Sequence, residues 1–314
     1  MEVVRAVAPT RAVPTGLLLV GAAALLWALI GVFTPSLLRN GMDAVEIGFW
    51  RALGGGLLFT AHAAVGRRLG AGSSAQAGRL VAFGIVAVGV FYVALAQAID
   101  LGGVSLAWIL LYTAPAWVAI GAVTVLRERV DRRRAALVTV TVGGVVLVAL
   151  GGGTGVRVSP ASLAWGMAAG LSYASWYVAG KQLLARHDPL TISAWTLLAG
   201  AAVILPFAAP GAHPPRVWAL VVGLVVVSTY APVLLYYTGL RSVEASRAAI
   251  VATVEPVGAL LIGATVGAER LTVVAVAGAG LVLAAAVAAA LPARRVGAAA
   301  GHDASGSSAS SRSG

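Results

Sequence analysis

Glu255 and Pro256 stand together in the middle of an apolar segment, IVATVEPVGALL, which runs from Ile250 to Leu261. A carboxylate and a residue that interrupts helices are both costly in apolar surroundings. An ionisable side chain at that depth faces the interior of a helix bundle and indicates function by default. Glu255 is therefore a candidate for binding a substrate amine or a proton. The alternative is a structural glutamate that hydrogen-bonds a neighbouring helix.

Pro256 has a counterpart in Pro115, and each is expected to bend its helix. Proline lacks an N–H group, and its ring presses on the carbonyl four residues earlier, which belongs to Ala252 or Leu111. In lipid the freed carbonyl has to be satisfied by protein or by cavity water. Both bends are thus predicted to face the bundle interior and to act as hinges.

Arg51 and several aromatic side chains are further candidates. Arg51 lies six residues into its apolar segment, where it pairs with a substrate carboxylate or with helix-end carbonyls, or snorkels to the outer interface. Snorkelling is the favoured interpretation, and direct pairing with Glu255 is left open. Aromatic rings can stack on a substrate or a cation, and their polar tips can hydrogen-bond it. The substrate-binding candidates of this kind, with the weaker polar candidate Thr253, are Trp27, Tyr112, Tyr173, Tyr177 and Tyr230.

The composition identifies the elements that carry these residues. The chain has 314 residues, of which 60% are hydrophobic and 11% charged, and a mean hydropathy of +0.93. Soluble domains carry roughly 25% charged residues, and a helix needs about 20 apolar residues to cross the hydrocarbon core. The expected fold is an all-α polytopic membrane protein with ten transmembrane helices. These lie at about 15–38, 45–65, 80–99, 104–126, 135–150, 161–181, 191–209, 217–239, 245–267 and 271–291.

Several classes of function are disfavoured by what the sequence lacks. It contains no cysteine, and its four histidines are scattered, so no metal site is expected. The glycines from Gly151 are not followed by the Lys-Ser/Thr pair of a phosphate-binding loop, so neither ATP nor another cofactor is expected. The net charge of +11 is assigned to basic residues that flank membrane helices and not to nucleic-acid binding. Catalytic residues occur only singly, so the protein is not expected to be an enzyme.

The basic residues also predict an orientation. With both termini on one side of the membrane, 17 of the 22 lysines and arginines lie on that side, four lie on the other side, and Arg51 lies within a span. Because Lys and Arg concentrate on the cytoplasmic side, both termini are expected in the cytoplasm of a multi-pass protein of the cytoplasmic (inner) membrane. The small and polar residues 297–314 predict a disordered cytoplasmic tail.

The chain contains an internal repeat. The segment from Val104, VSLAWILLYTAPAWVAIGAVTVLRERV, aligns without gaps with the segment from Ala245, ASRAAIVATVEPVGALLIGATVGAERL. The alignment matches Pro115 with Pro256, so the fourth helix resembles the ninth.

Two five-helix repeats follow, at residues 15–150 and 161–291. An odd number of helices inverts the second repeat relative to the first, and inverted repeats are typical of secondary transporters with a site between the halves. Glu128 and Glu269 match each other at the ends of the two repeated segments, where they are expected to cap or pair helix ends.

These features resemble the drug/metabolite transporter superfamily and, more narrowly, its EamA-type exporters. The resemblance rests on VEPVGALLIGATVGAERL in the ninth helix and on IGFWRALGGGLLF in the second, and it covers about residues 15 to 291. It implies a ten-helix bundle whose central cavity is lined by helices one, three, four, six, eight and nine. Glu255 departs from the symmetry of the repeat, because the residue aligned with it is Ala114.

The expected function is secondary transport that exports amino acids or related small metabolites by alternating access, with proton coupling left open. The first alternative is a drug or toxic-cation exporter of the same fold, because aromatic rings around one carboxylate suit both. A non-transporting membrane scaffold is the further alternative. The expected partners are a small-molecule substrate and the lipid bilayer, with the protein a monomer or a homodimer.

Overall fold

Helices make up all the regular secondary structure in the part of the chain that a computed structural model describes, residues 12–151, 157–265 and 272–291. The predicted tail at 297–314 lies outside these residues. The helices are α1 (Ala12–Ala28), α2 (Ile30–Arg39), α3 (Ala44–Val65), α4 (Ser74–Gly84), α5 (Phe91–Gly102), α6 (Val104–Leu111), α7 (Ala114–Thr124), α8 (Arg132–Gly151), α9 (Pro160–Leu184), α10 (Pro189–Ile204), α11 (Pro215–Val225), α12 (Ala231–Leu240), α13 (Ala245–Ala252), α14 (Val254–Thr265) and α15 (Val273–Ala290).

Eight helical stretches in the described residues are long and apolar enough to cross a membrane. The protein is therefore an all-helical, multi-pass membrane protein. Two predicted segments, 45–65 and 161–181, are not among the eight, although α3 and α9 cover them with 22 and 25 residues. The eight stretches are Thr15–Arg39, Ser74–Gly102, Leu106–Thr124, Arg132–Gly151, Pro189–Phe207, Pro215–Leu240, Ala245–Ile262 and Val273–Ala290.

The two predicted bends are interruptions of a helix. α6 ends at Leu111, and α7 begins at Ala114, one residue before Pro115. α13 ends at Ala252, and α14 begins two residues later with Pro256 in its first turn. Each upstream helix thus stops at the residue whose carbonyl would meet the proline ring. The same break occurs at matching positions of the repeat.

Two π-helical segments also occupy matching positions. Ile85–Val90 joins α4 to α5, and Val226–Tyr230 joins α11 to α12. Both begin at the same point of the alignment that pairs Val104 with Ala245. A π-helical turn holds more residues than an α-helical turn, so the side chains beyond it face directions that a period of 3.6 residues does not predict.

α8 packs against its counterpart in the repeat, α15. Arg133, near the start of α8, donates a hydrogen bond of 2.6 Å to the carbonyl oxygen of Ala288, near the end of α15, so the helices are antiparallel. Where they cross, a Cβ atom added to Gly278 would lie only 2.5 Å from the carbonyl oxygen of Gly144. Small residues permit this close approach of two membrane helices.

α3 packs in the same way against its counterpart, α10. Gly56 lies against Leu198, while Arg68, just beyond α3, contacts Asp188, just before α10, at 3.4 Å. The two helices are therefore antiparallel as well. α1 packs on α12 and α5 packs on α9, so every one of these contacts joins the first half to the second.

One end of the bundle gathers the turns that follow α3, α7, α9 and α12, and we call it the arginine-rich end. Arg68 and Arg241 both contact the carboxylate of Asp188 at 3.4 Å. Arg134 pairs with Glu244 at 2.6 Å. These ion pairs fasten the four turns to one another.

The opposite end is held by a buried carboxylate. Glu46 accepts hydrogen bonds from the Gly211 N–H at 3.0 Å and from Trp50 Nε1 at 3.2 Å, and its Oε1 lies 2.9 Å from His213 Nε2. These contacts attach the segment before α11 to the start of α3.

Candidate functional site

Glu255 lies in the first turn of α14, directly after the break that ends α13. Tyr173 donates its hydroxyl to Glu255 Oε2 at 3.4 Å, and Tyr177 donates to the Tyr173 hydroxyl at 3.3 Å. The Tyr112 ring meets the Tyr173 ring edge-on, with 6.5 Å between the ring centroids. Glu255 and Tyr173 are partly exposed, whereas Tyr112 and Tyr177 are buried. The positive end of the α14 dipole favours a carboxylate at this position.

Two aromatic rings that the sequence analysis did not single out complete this cluster. Phe91 stacks on Tyr173 with 5.6 Å between ring centroids, and Trp108 stacks on Tyr112 at the same separation. Trp108 stands four residues before Tyr112, a spacing that places both on one helix face and could have indicated it. Phe91 carries no polar tip and directly follows a π-helical segment, so no signal in a single sequence points to it.

Arg51 turns toward the protein interior, so the snorkelling interpretation is wrong. Its Nε donates to Thr229 Oγ1 at 3.2 Å and its NH2 donates to the Ser228 carbonyl at 3.4 Å. The guanidinium carbon lies 5.1 Å from the centre of the Tyr92 ring. The π-helical segment supplies these acceptors, which is why the side chain does not extend to the interface. The described residues show no ion pair between Arg51 and Glu255.

Trp27 and Thr253 lie at the edge of the cluster. Trp27 is buried and packs on Tyr236 with 5.5 Å between ring centroids. Thr253 occupies the break between α13 and α14, where its hydroxyl donates to the Ile250 carbonyl at 2.5 Å. The Thr253 hydroxyl therefore satisfies its own helix end.

Tyr230 is not brought to the cluster. Its hydroxyl lies 2.5 Å from His62 Nδ1, and its ring centroid lies 4.6 Å from that of Phe59, so the side chain faces α3. Tyr230 is the last residue of a π-helical segment. The altered helical phase explains why depth along the span did not predict its direction.

A narrow gap lies between the two helix breaks, and no part of it is wide enough for a water molecule. In the described residues, no three His, Cys, Asp or Glu side chains converge as metal ligands would. The residues that line the gap include Tyr112, Pro115, Tyr173, Tyr177, Ala252 and Thr253.

An aromatic plug separates the cluster from the arginine-rich end. We define it as Trp27, Trp176, Tyr177, Tyr236 and Tyr237. Trp176 stacks on Tyr237 at 5.8 Å, and Tyr177 meets Tyr236 edge-on at 5.4 Å. The hydroxyls of Tyr236 and Tyr237 are buried, and neither has a hydrogen-bond partner among the described residues. An unsatisfied buried hydroxyl costs about 1–3 kcal/mol.

Glu128 holds the start of α13, between the aromatic plug and the arginine-rich end. Its carboxylate accepts from the Ala245 N–H at 2.8 Å and from the Ser246 hydroxyl at 3.1 Å. It thus caps a helix of the second half from the first half. Glu128 therefore caps a helix end, as the sequence predicts, and the matching Glu269 lies outside the described residues.

Lys181 fastens the neighbouring turn. Its Nζ donates to the carbonyl oxygens of Leu240 at 2.5 Å and Val243 at 2.6 Å. Every residue of α13 except Arg247 is buried. The site is therefore closed toward the arginine-rich end, while Glu255, Tyr173 and Arg51 keep partial exposure.

Comparison with known proteins identifies the class as a membrane transporter. The model of the EamA-like transporter family matches residues 14–150 and again residues 161–291. The chain belongs to this family, as the sequence resemblance indicated. Its relatives are transporters and not enzymes, which confirms the expectation that the protein is not an enzyme.

Three relatives and one solved structure illustrate the match. Two uncharacterized transporters of Archaeoglobus fulgidus are 32% identical over 194 residues and 29% identical over 218 residues. These alignments cover 62% and 65% of this chain and 68% and 74% of the relatives. The uncharacterized inner membrane transporter YicL of Salmonella typhimurium is 29% identical over 131 residues, 40% of this chain and 44% of YicL. A crystal structure with 17% identity shares the fold, with a TM-score of 0.74 over 87% of this chain and 96% of the other.

Proposed function

We propose that this protein is a secondary transporter that exports amino acids or related small metabolites across the cytoplasmic membrane by alternating access. The observation that carries the proposal is a pair of opposite charges at one partly exposed site. A chain of aromatic contacts links the two charges. Arg51 lies over the ring of Tyr92, which packs on Phe91, and Phe91 stacks on Tyr173, the hydrogen-bond donor of Glu255. Glu255 and Arg51 form no ion pair in the described residues. Opposite charges that are held apart match a zwitterion, which carries an amine and a carboxylate.

The surrounding side chains fit this chemistry. The Glu255 carboxylate would bind the amine, and the Arg51 guanidinium would bind the carboxylate, for which its planar donors are well suited. Tyr173 and Phe91 present aromatic surface beside the amine site. A cationic drug would use Glu255 alone and be repelled by Arg51, so the site favours amino acids over the cation-exporter alternative.

The proposed topology has ten transmembrane helices in two inverted five-helix repeats, at 15–150 and 161–291, with both termini in the cytoplasm. The antiparallel pairing of α3 with α10 and of α8 with α15 supports the inversion, because each pair joins matching helices of the two halves. The arginine-rich end supports the orientation, because basic residues accumulate on the cytoplasmic side.

Alternating access would open the arginine-rich end and close the opposite one. The aromatic plug, the Glu128 cap and the Lys181 contacts are the groups that have to separate. Water entering the plug would hydrate the two unsatisfied tyrosine hydroxyls, which offsets part of the lost packing. The helix breaks before Pro115 and Pro256 would serve as the hinges.

Proton coupling would follow from a single carboxylate that serves two ligands in turn. Glu255 would hold the substrate amine on the way out and a proton on the way in. Such an exchange would let an inward proton gradient drive export.

Counterflow in proteoliposomes tests the proposal with matched pairs of solutes. Labelled amino acids are compared with the amines that lack their carboxylate and with cationic dyes, for the wild type and Arg51→Gln. Wild type is expected to exchange an amino acid, and Arg51→Gln to lose at least about tenfold in affinity for it while its affinity for the amine changes little. Tyr230→Phe serves as the control, because that ring faces α3.

Two outcomes would overturn the proposal. If Arg51→Gln binds the amino acid and its amine as the wild type does, Arg51 does not recognise a carboxylate. If cationic dyes exchange and amino acids do not, the cation-exporter alternative replaces it.

A further inference from the structure

A second cleft lies between α4 and α9 at the arginine-rich end, apart from the aromatic cluster. Its volume is about 540 Å³. α4 belongs to the first half of the chain and α9 to the second, so the cleft lies where the two halves meet. The polar residues that line it are Gln76, Arg79, Gln182, Arg186 and His187, and the apolar ones are Phe83, Ala179, Leu183 and Ala185.

The lining is graded from polar to apolar. α4 and α9 are antiparallel, because Phe83 lies beside Gly180 while the Trp176 indole donates to the Ala87 carbonyl. A helix rises 1.5 Å per residue, so Phe83 lies about 6 Å beyond Arg79 toward the membrane centre. On α9, Ala179 lies about 10 Å from Arg186 in the same direction. The cleft therefore has a polar mouth and an apolar interior.

The charge at the mouth is positive and uncompensated. Arg79 and Arg186 are exposed, and neither makes an ion pair within the described ranges. The nearest acidic neighbour along the chain, Asp188, is already bound to two other arginines. Burial and the Arg186 guanidinium lower the pKa of His187, so the imidazole is neutral near pH 7 and offers hydrogen bonding without charge.

We propose that this cleft binds an anionic phospholipid of the cytoplasmic leaflet, with its phosphate on Arg79 and Arg186 and an acyl chain against Phe83 and Leu183. Basic pockets between membrane helices on the cytoplasmic side suit such head groups. A soluble anion would use the two arginines but leave the apolar interior uncovered, so the graded lining favours the lipid. The assignment to the cytoplasmic leaflet rests on the proposed orientation.

A bound lipid would connect α4 with α9 and therefore the two halves of the protein. These helices also pack on one another through Trp176 and Ala87. The lipid would therefore favour the state in which the arginine-rich end is closed. Lipid binding is thus expected to raise the thermal stability of the protein.

The test is lipid binding to the full-length protein, delipidated in an uncharged detergent. Native mass spectrometry and thermal unfolding are recorded during titration with phosphatidylglycerol, phosphatidylcholine or glycerol 3-phosphate. Wild type is expected to retain one phosphatidylglycerol preferentially and to be stabilised by it. The double variant Arg79→Gln/Arg186→Gln is expected to bind it about tenfold or more weakly. Arg129→Gln/Arg132→Gln removes the same charge from exposed positions outside the cleft and is the matched control.

Three results would overturn the proposal. The cleft variant could bind phosphatidylglycerol as the wild type does, or the control could lose binding equally, which would indicate general surface charge. Glycerol 3-phosphate could bind as tightly as the lipid, which would make the cleft a site for soluble anions. The assay requires neither transport nor a membrane with two sides, so its outcome is independent of counterflow with amino acids.

Discussion

The two π-helical segments show how one backbone serves two purposes in the two halves. In the first half, the Ala87 carbonyl accepts a hydrogen bond of 2.6 Å from the buried indole of Trp176. At the matching position of the second half, the Ser228 carbonyl accepts a longer bond of 3.4 Å from Arg51. Both segments present a carbonyl to a side-chain donor, but only one donor is charged and partly exposed. The repeat supplies the backbone, and the differences between its copies supply the candidate site.

The two helix breaks also share a backbone arrangement and differ in their side chains. Each break precedes a proline, Pro115 or Pro256, and each starts a new helix whose first turn can stabilise an anion. Only the second break carries one, because Glu255 stands where the first has Ala114. The comparison therefore places the candidate carboxylate at the break of the second half alone.

The largest effect is expected from Glu255→Gln, compared with Ala114→Ser at the matching position of the first half. Removing the charge that is proposed to bind the substrate amine should lower the transport rate about 30-fold or more, since truncating one partner of a close charge pair costs about 2–5 kcal/mol. The serine variant should stay within about twofold of wild type. Initial rates in proteoliposomes between pH 6 and 8 measure both effects. With the proposed proton coupling, the wild-type rate is expected to change over this range, and Glu255→Gln should lose that change. Equal rates for the two variants would end the proposed asymmetry.

Trp176→Phe sharpens the comparison of the π-helical segments. It leaves the Ala87 carbonyl without its donor and removes part of the aromatic plug, so we expect a loss of about 2–4 kcal/mol of stability. Arg51→Gln retains a donor at a partly exposed position and should cost less than about 1 kcal/mol. Thermal unfolding in detergent compares the two variants. A larger loss for Arg51→Gln would show that the charged donor, and not the indole, is the structural one.

The smallest effect concerns the crossing of α8 with α15, where the two halves join. Gly278→Ala places a methyl group 2.5 Å from the Gly144 carbonyl oxygen, whereas Gly280→Ala meets nothing within 4 Å. We expect the first to destabilise by about 1–3 kcal/mol and the second to be neutral or slightly stabilising, since alanine favours helix. Unfolding midpoints provide the measurement. Identical midpoints would mean that the helices separate at no cost.

The sequence predicts the helices and the breaks because apolar length and proline act locally. The sequence also groups Glu255, Tyr112, Tyr173 and Tyr177 as candidates, because all four lie well inside their spans. The structure places them in one cluster. The directions of Arg51, Phe91 and Tyr230 could not be predicted. All three depend on π-helical segments, and one extra residue in a turn leaves no mark in hydropathy.

The Gly144–Gly278 crossing has a consequence for the origin of the chain. The contacts of α8 with α15 and of α3 with α10 each join a helix to its own counterpart in antiparallel orientation. A shorter ancestral gene encoding one five-helix unit would already have possessed both surfaces. Two copies of its product, inserted into the membrane in opposite orientations, could pair through them as a dimer. On the proposed inverted topology, gene duplication and fusion would then have fixed one copy in each orientation, and a single copy would have been free to acquire Glu255.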